Sequence, residues 1–240
     1  EAFARFVDWS GAAGRAYEPA QDFEGDYLAV GGTNVGGGKS DRFMKETVSL
    51  QSYIGEDGKV NNHLAISRKH EGGKSEDWWY RATNQSYLKV FVPKGSELSN
   101  FTGGAKKEIP APINYAAAGY KKDPLVAAIE STAKEFFGYP ALAGFEENGK
   151  SVFATWSRVG LGETATITYD YTHRLFLPPR DGLGYEFVFE RQPGTNREYR
   201  FEFGAPVGYQ FAENGLPTFE YASSDPPGRL VLRFTLEKIK

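Results

Sequence analysis

The chain has 240 residues, with 28 Lys+Arg against 31 Asp+Glu for a net charge of −3, no cysteine, and 15% aromatic residues. That length suffices for one large domain or two small ones with a core that needs no staples, and the zero cysteine count excludes disulfides, thiolate metal sites and a cysteine nucleophile. Mixed charge of this size gives no field for a phosphate backbone, so nucleic acid is a poor partner, while no apolar run reaches the roughly 18–20 residues of a bilayer span and no signal peptide is visible, so the chain reads as soluble.

Phe3, Phe6, Val7 and Trp9 recur at helical spacing and are followed by Ser10-Gly11, which predicts the last turns of a helix. The chain opens on Glu1, so residues 1–22 read as the end of an upstream helical region or linker, left by processing or excision. Asp22, Glu24 and Asp26 alternate like part of a calcium loop. The sixth and twelfth positions hold Tyr27 and Thr33 instead of Gly and Glu, so a charged approach to a strand is the better reading.

The string from Thr33 to Ser40 ends in Gly36-Gly37-Gly38-Lys39-Ser40 and resembles a phosphate-binding loop. Such a loop needs a glycine where Thr33 stands and a helix to follow. The alternation of Met44, Glu46, Val48 and Leu50 against Phe43, Lys45, Thr47 and Ser49 predicts a strand there, with the glycines serving a tight connection.

Period-two alternation runs through the rest of the chain. It predicts strands at 26–31 and 43–54, around Val60, Leu64 and Ile66, around Leu88, Val90 and Val92, at 151–159, and over Ala165–Tyr171. Further strands follow around Tyr185, Phe187 and Phe189, around Tyr199, Phe201 and Phe203, at 217–222, and over Leu230–Leu236. Asp57-Gly58, Pro193-Gly194 and Asn214-Gly215 supply turn chemistry between them. The expected fold is a mainly β, antiparallel β-sandwich of about ten strands spanning residues 23–240, with no internal repeat.

Residues 103–147 interrupt the pattern as an insertion. Asp123-Pro124 caps a predicted helix over 124–137 whose face carries Leu125, Ile129, Ala133, Phe136 and Phe137, and Gly138 with Pro140 ends it.

Trp78, Trp79 and Tyr80 form the densest aromatic group, beside Glu76 and Asp77 and ahead of Tyr87. Flat rings near carboxylates suit stacking on sugar faces, which makes Trp78, Trp79, Tyr80 and Tyr87 candidate glycan or partner contacts. The general burial of aromatics favours the alternative, in which they close one end of the core. Asn84-Gln85-Ser86 and Asn100-Phe101-Thr102 fit the short glycosylation acceptor pattern. His63, His70 and His173 have no second histidine at ligand spacing and read as solvated surface residues, and no Gly-x-Ser-x-Gly elbow accompanies them. No cofactor or metal is expected.

Several blocks in order carry a family resemblance: Asp26 to Val30, Asn34 with Gly36-Gly37-Gly38-Lys39-Ser40-Asp41, Tyr87 to Ser96, Gly149 to Phe153, and Arg191-Gln192-Pro193-Gly194. Together they resemble the C-terminal part of bacterial proteins catalogued as domain of unknown function 4012, over about residues 24–200. The resemblance implies a bacterial envelope protein, extracytoplasmic, tethered by an N-terminal membrane helix absent here, with some relatives connected to exopolysaccharide. It carries over no catalytic residue. It implies a structural role for Asn34, Gly36, Gly37, Gly38, Lys39, Gln192, Pro193 and Gly194. The 103–147 insertion departs from the family as longer than its pattern.

The expected function is therefore a non-enzymatic cell-surface module with a scaffold or adhesion role, its partners being surface polysaccharide or further copies of itself, and neither nucleic acid nor membrane being contacted by this segment. One alternative is a subunit of a surface filament or layer, with the N-terminal stretch and the 124–137 helix buried between copies. Another is a polysaccharide-modifying enzyme using Glu76 and Asp77, which requires a cleft holding two carboxylates about 5–10 Å apart. Lys–Asn or Lys–Asp isopeptide staples lack a motif.

Overall fold

A computed structural model describes residues 2–9, 16–20, 22–34, 38–195 and 197–240 of the chain. The period-two stretches fold as strands because each buries one parity of β-branched and aromatic side chains and solvates the other. The elements are α1 (Ala2–Trp9), β1 (Gly25–Thr33), β2 (Met44–Ile54), β3 (Lys59–His70), α2 (Trp78–Arg81), β4 (Asn84–Val92), β5 (Glu97–Thr102) and α3 (Pro124–Ser131). They continue as β6 (Lys134–Glu135), β7 (Leu142–Glu147), β8 (Lys150–Val159), β9 (Thr164–Arg174), β10 (Gly184–Glu190), β11 (Arg197–Gly204), β12 (Tyr209–Phe211), β13 (Thr218–Ser223) and β14 (Arg229–Lys238).

Eight strands form one sheet, in the order β12-β14-β10-β1-β4-β8-β7-β6, and six form the other, in the order β13-β11-β2-β3-β9-β5. Their inner faces share one core. Leu28, Val30, Leu88, Val90, Phe153, Phe187 and Phe189 come from the first sheet, and Val48, Leu50, Leu64, Ile66, Tyr169, Phe201 and Phe203 from the second. Between β10 and β11 the rings interdigitate, with centroids 4.8 Å apart for Phe187 and Phe203 and for Phe189 and Tyr199, a spacing at which aromatic pairs add to area burial.

Both sheets are mixed, which corrects the antiparallel expectation. β1 runs parallel to β10 and β2 parallel to β11. The chain crosses from the first sheet to the second between β1 and β2, then repeats that crossing alongside from β10 to β11, so both neighbours point the same way. Alternation reports which face a side chain takes and is silent on strand direction. The fourteen strands exceed the expected ten because β5, β6, β7 and β12 are short or poor in alternation.

The helix expected over 124–137 is also shorter, ending at Ser131. The Ser131 and Thr132 hydroxyls donate back to the Ala128 and Ile129 carbonyls, a local competition with the helix ladder. Lys134 and Glu135 then pair with β7 as a strand. Asp123 caps α3 as anticipated, accepting from the Leu125 and Val126 amides. The expected apolar face divides: Leu125 is 67% exposed, Ile129 is half-buried, and Phe136 packs against the core.

Two other readings are corrected. Asp26 lies inside β1 and is fully buried, accepting from the Tyr27 amide and the Ser52 hydroxyl. His70 and His173 are buried as well. Each finds a backbone carbonyl that holds its ring, Ala82 for His70 and Gly25 for His173, which is how a polar ring tolerates burial. His63 alone is on the surface, 2.5 Å from Asp170.

Desolvation holds the Asp26 carboxyl above its ordinary range, against the opposing pull of His173. Its raised folded-state value means that Asp26 contributes stability fully at pH below the unfolded value near 4 and loses it as pH rises through the folded value. Asp26→Asn keeps the acceptor for Tyr27 and removes that loss. Urea unfolding at about pH 4 and pH 8 is expected to show the variant gaining on the parent as pH rises; an unchanged difference would refute the buried-acid reading.

Candidate functional site

Two arrangements of polar and aromatic side chains stand out. The first lies beneath the two loops that cross between sheets. Glu46, Arg68 and Arg197 occupy one row across β3, β2 and β11, since Glu46 is the register partner of both arginines. All three are buried. Arg68 Nε donates to one Glu46 oxygen at 2.6 Å and Arg197 Nε to the other. Arg68 also donates to Ser86 Oγ at 3.2 Å, and Arg197 Nη1 to the Val30 carbonyl at 2.7 Å. The two guanidinium groups outweigh burial and hold the Glu46 carboxyl below its ordinary range.

Gly32, Asp41 and the 192–195 turn lie beside this row. The Gln192 side-chain amide pairs with Gly32 in both directions, accepting from its amide at 2.7 Å and donating to its carbonyl at 2.9 Å, so it extends the β1–β10 pairing as a strand residue would. Pro193-Gly194 makes the turn with Gly194 at φ +75, a left-handed value that suits glycine. Asn34 Nδ2 donates to the Gly38 carbonyl and to Asp41, and Asn84 also donates to Asp41, at 2.7 Å. Lys39 is exposed, and Gly36 and Gly37 lie outside the described residues. A polar cavity of about 180 Å³ remains among Gly32, Asp41, Ser86, Gln192 and the arginines. The loop leads through one 3-10 turn, Ser40–Phe43, into the strand β2, and not into the α-helix of a phosphate loop.

The second arrangement lies on the outer face of the eight-stranded sheet. Tyr87 on β4 and Trp156 on β8 are direct register partners, with ring centroids 5.2 Å apart, and both are half-buried. Alanines 143 and 154 beside them leave a depression, and the segments 105–107 and 135–141 form its walls, giving a groove of about 400 Å³. Ala105 donates to the Trp156 carbonyl, which ties one wall to the strand. Lys107 then reaches back across the groove, its Nζ 4.7 Å from the Trp156 ring centroid and 2.8 Å from Gln85 Oε1. Glu135 is the carboxylate in the lining. Desolvation and the nearby Glu147 charge raise the Tyr87 phenol above its ordinary range.

The expected aromatic cluster therefore divides. Tyr87 lies in the groove, while Trp78, Trp79 and Tyr80 form α2 and line none of the cavities described. Trp78 is 74% and Trp79 38% exposed, so they do not close the core. Tyr80 packs edge-on against Phe43 at 5.1 Å, and the helix is seated by the His70 bond to Ala82. A Cβ at Gly72 would overlap the Tyr80 carbonyl oxygen. Gly72→Ala is expected to lower unfolding free energy by about 1–3 kcal/mol and to speed proteolysis around residues 72–82; unchanged stability would refute this seating.

Glu76 and Asp77 are exposed on the same turn and line no described cavity. Asn84 is buried in hydrogen bonds to Ser40 and Asp41, and Asn100 bonds Asp170, so both acceptor asparagines are engaged. Trp156 escaped the sequence reading, although it shares the outward parity of the 151–159 strand.

No family model matches the chain, and no curated protein matches it. Among solved structures, a provisionally named nutrient-binding protein of Legionella pneumophila shares 8% identity, with 90% of this chain and 72% of that one covered and a TM-score of 0.42. A provisionally named protease of Parabacteroides distasonis shares 12% identity, with 82% and 36% covered and a TM-score of 0.28.

Proposed function

We propose that this chain is a non-enzymatic, extracytoplasmic binding module that takes a glycan in the groove over Tyr87 and Trp156, in a scaffold or adhesion role. The observation that carries the reading is the half-buried Tyr87–Trp156 pair at the base of a groove of about 400 Å³, within the roughly 300–1,000 Å³ of small-molecule sites. A pyranose ring has a face of C–H groups that meets the negative face of an aromatic ring and a rim of hydroxyls that meets polar walls. Lys107 and Glu135 supply such walls. Hydrolysis of a glycosidic bond calls for a pair of carboxylates, and the groove lining contributes Glu135 alone. The extracytoplasmic setting rests on the family resemblance. Screening the purified chain against a broad polysaccharide and oligosaccharide panel tests the reading: retention of at least one glycan is expected, and a panel without binders overturns it.

A second reading, a subunit of a surface assembly, is favoured by the exposure of Phe3 on α1 and of Leu125, Val126 and Phe137 in the insertion, since exposed apolar patches mark association surfaces. Light scattering showing a strict monomer at high concentration contradicts it.

A further inference from the structure

The charges around the groove discriminate among glycans. Lys107 Nζ meets a neutral amide, Gln85 Oε1, and the face of Trp156, and it has no carboxylate partner among the described residues. Arg158 projects from the same outward parity of β8 two residues beyond Trp156, opposite Gln85 in register, and is exposed without an ion pair among the described residues. Neighbouring cations behave differently: Lys106 pairs with Glu108 at 3.1 Å and Lys89 with Glu147 at 2.6 Å. Two unneutralised cations thus flank Gln85 beside the aromatic base, while Glu135 stands on the opposite wall.

Resting on the glycan reading above, we infer that the groove selects acidic saccharides, stacking a uronic-acid ring on Trp156 and placing its carboxylate between Lys107 and Arg158. An ammonium poised over the Trp156 ring needs to swing only from the π face to a carboxylate held beside that same ring, exchanging one cation contact for a charge-assisted hydrogen bond. Both cations are solvent-exposed, so the gain is moderate and falls with salt. Sulfated sugars share the anionic chemistry and differ in the reach and geometry of the charged group.

The test compares oligogalacturonate, oligomannuronate, oligoguluronate and glucuronate-containing oligosaccharides with their methyl esters, which keep the ring and remove the charge. Sulfated and neutral oligosaccharides form two further arms. Binding is measured by calorimetry at about 50 and 500 mM salt, on the full chain and on Lys107→Met and Arg158→Gln, with circular dichroism confirming that both variants fold. The expected result is about three- to tenfold tighter binding of at least one uronate than of its ester. That preference should shrink at high salt and fall below about twofold in Lys107→Met, the affinity for the acid falling more than the affinity for the ester. Esters or neutral glycans binding as tightly as the acids overturn the acidic selectivity and leave the glycan reading standing. Preference for sulfated over carboxylated sugars overturns the uronate assignment. Failure of every arm overturns both.

Discussion

Glu46→Gln is expected to lower the unfolding free energy by about 3–5 kcal/mol, the loss typical of breaking a buried ion pair. Glu46 is the shared partner of Arg68 and Arg197, so the neutral amide leaves two guanidinium charges buried side by side. For a chain of this size that corresponds to a fall in Tm of roughly 6–20 °C. Replacing all three residues by apolar side chains of similar volume is expected to recover much of the loss, because removing the charges together also removes their desolvation cost. The same row sets an acid limit. The depressed Glu46 value means that its stabilisation is present above the unfolded carboxyl value and is lost as pH falls through the folded one. Urea unfolding checks both statements, and a loss under 1 kcal/mol in Glu46→Gln would refute the row's role.

Trp156→Ala is expected to weaken glycan binding at least tenfold, about 1.4 kcal/mol or more, because a ring at the base of a groove contributes most of the apolar contact. Its half-buried position limits the accompanying stability loss to about 1–2 kcal/mol. Trp78→Ala is expected to change binding less than twofold, since that ring lies outside the groove. Equal losses in the two variants would move the site to α2.

The parity of nearly every long strand is legible in the sequence, because burial on one face writes itself as period two. Met44, Glu46, Val48 and Leu50 already share a parity in the sequence, and the carboxylate among three apolar residues is the trace of the buried row. What escapes is whatever depends on pairing between distant segments. The parallel β1–β10 and β2–β11 pairs arise from a crossing made twice, and alternation is unchanged by reversing a strand. His70 and His173 are buried because carbonyls distant in sequence receive their ring nitrogens. The groove needs Trp156 opposite Tyr87, a register no local pattern specifies. The conspicuous Trp78-Trp79 pair drew attention by adjacency, yet adjacency along the chain does not make a concave surface.

On the reading proposed above, a glycan lies on Trp156. Each of the four tryptophans contributes one indole N–H resonance, and Trp156→Phe identifies the Trp156 signal in a ¹⁵N-labelled sample. Titration with an oligosaccharide retained in the panel screen is predicted to shift the Trp156 indole saturably while those of Trp78 and Trp79 stay in place. Saturable shifts of Trp78 and Trp79 with Trp156 unmoved would place the glycan on α2 and overturn the Trp156 site.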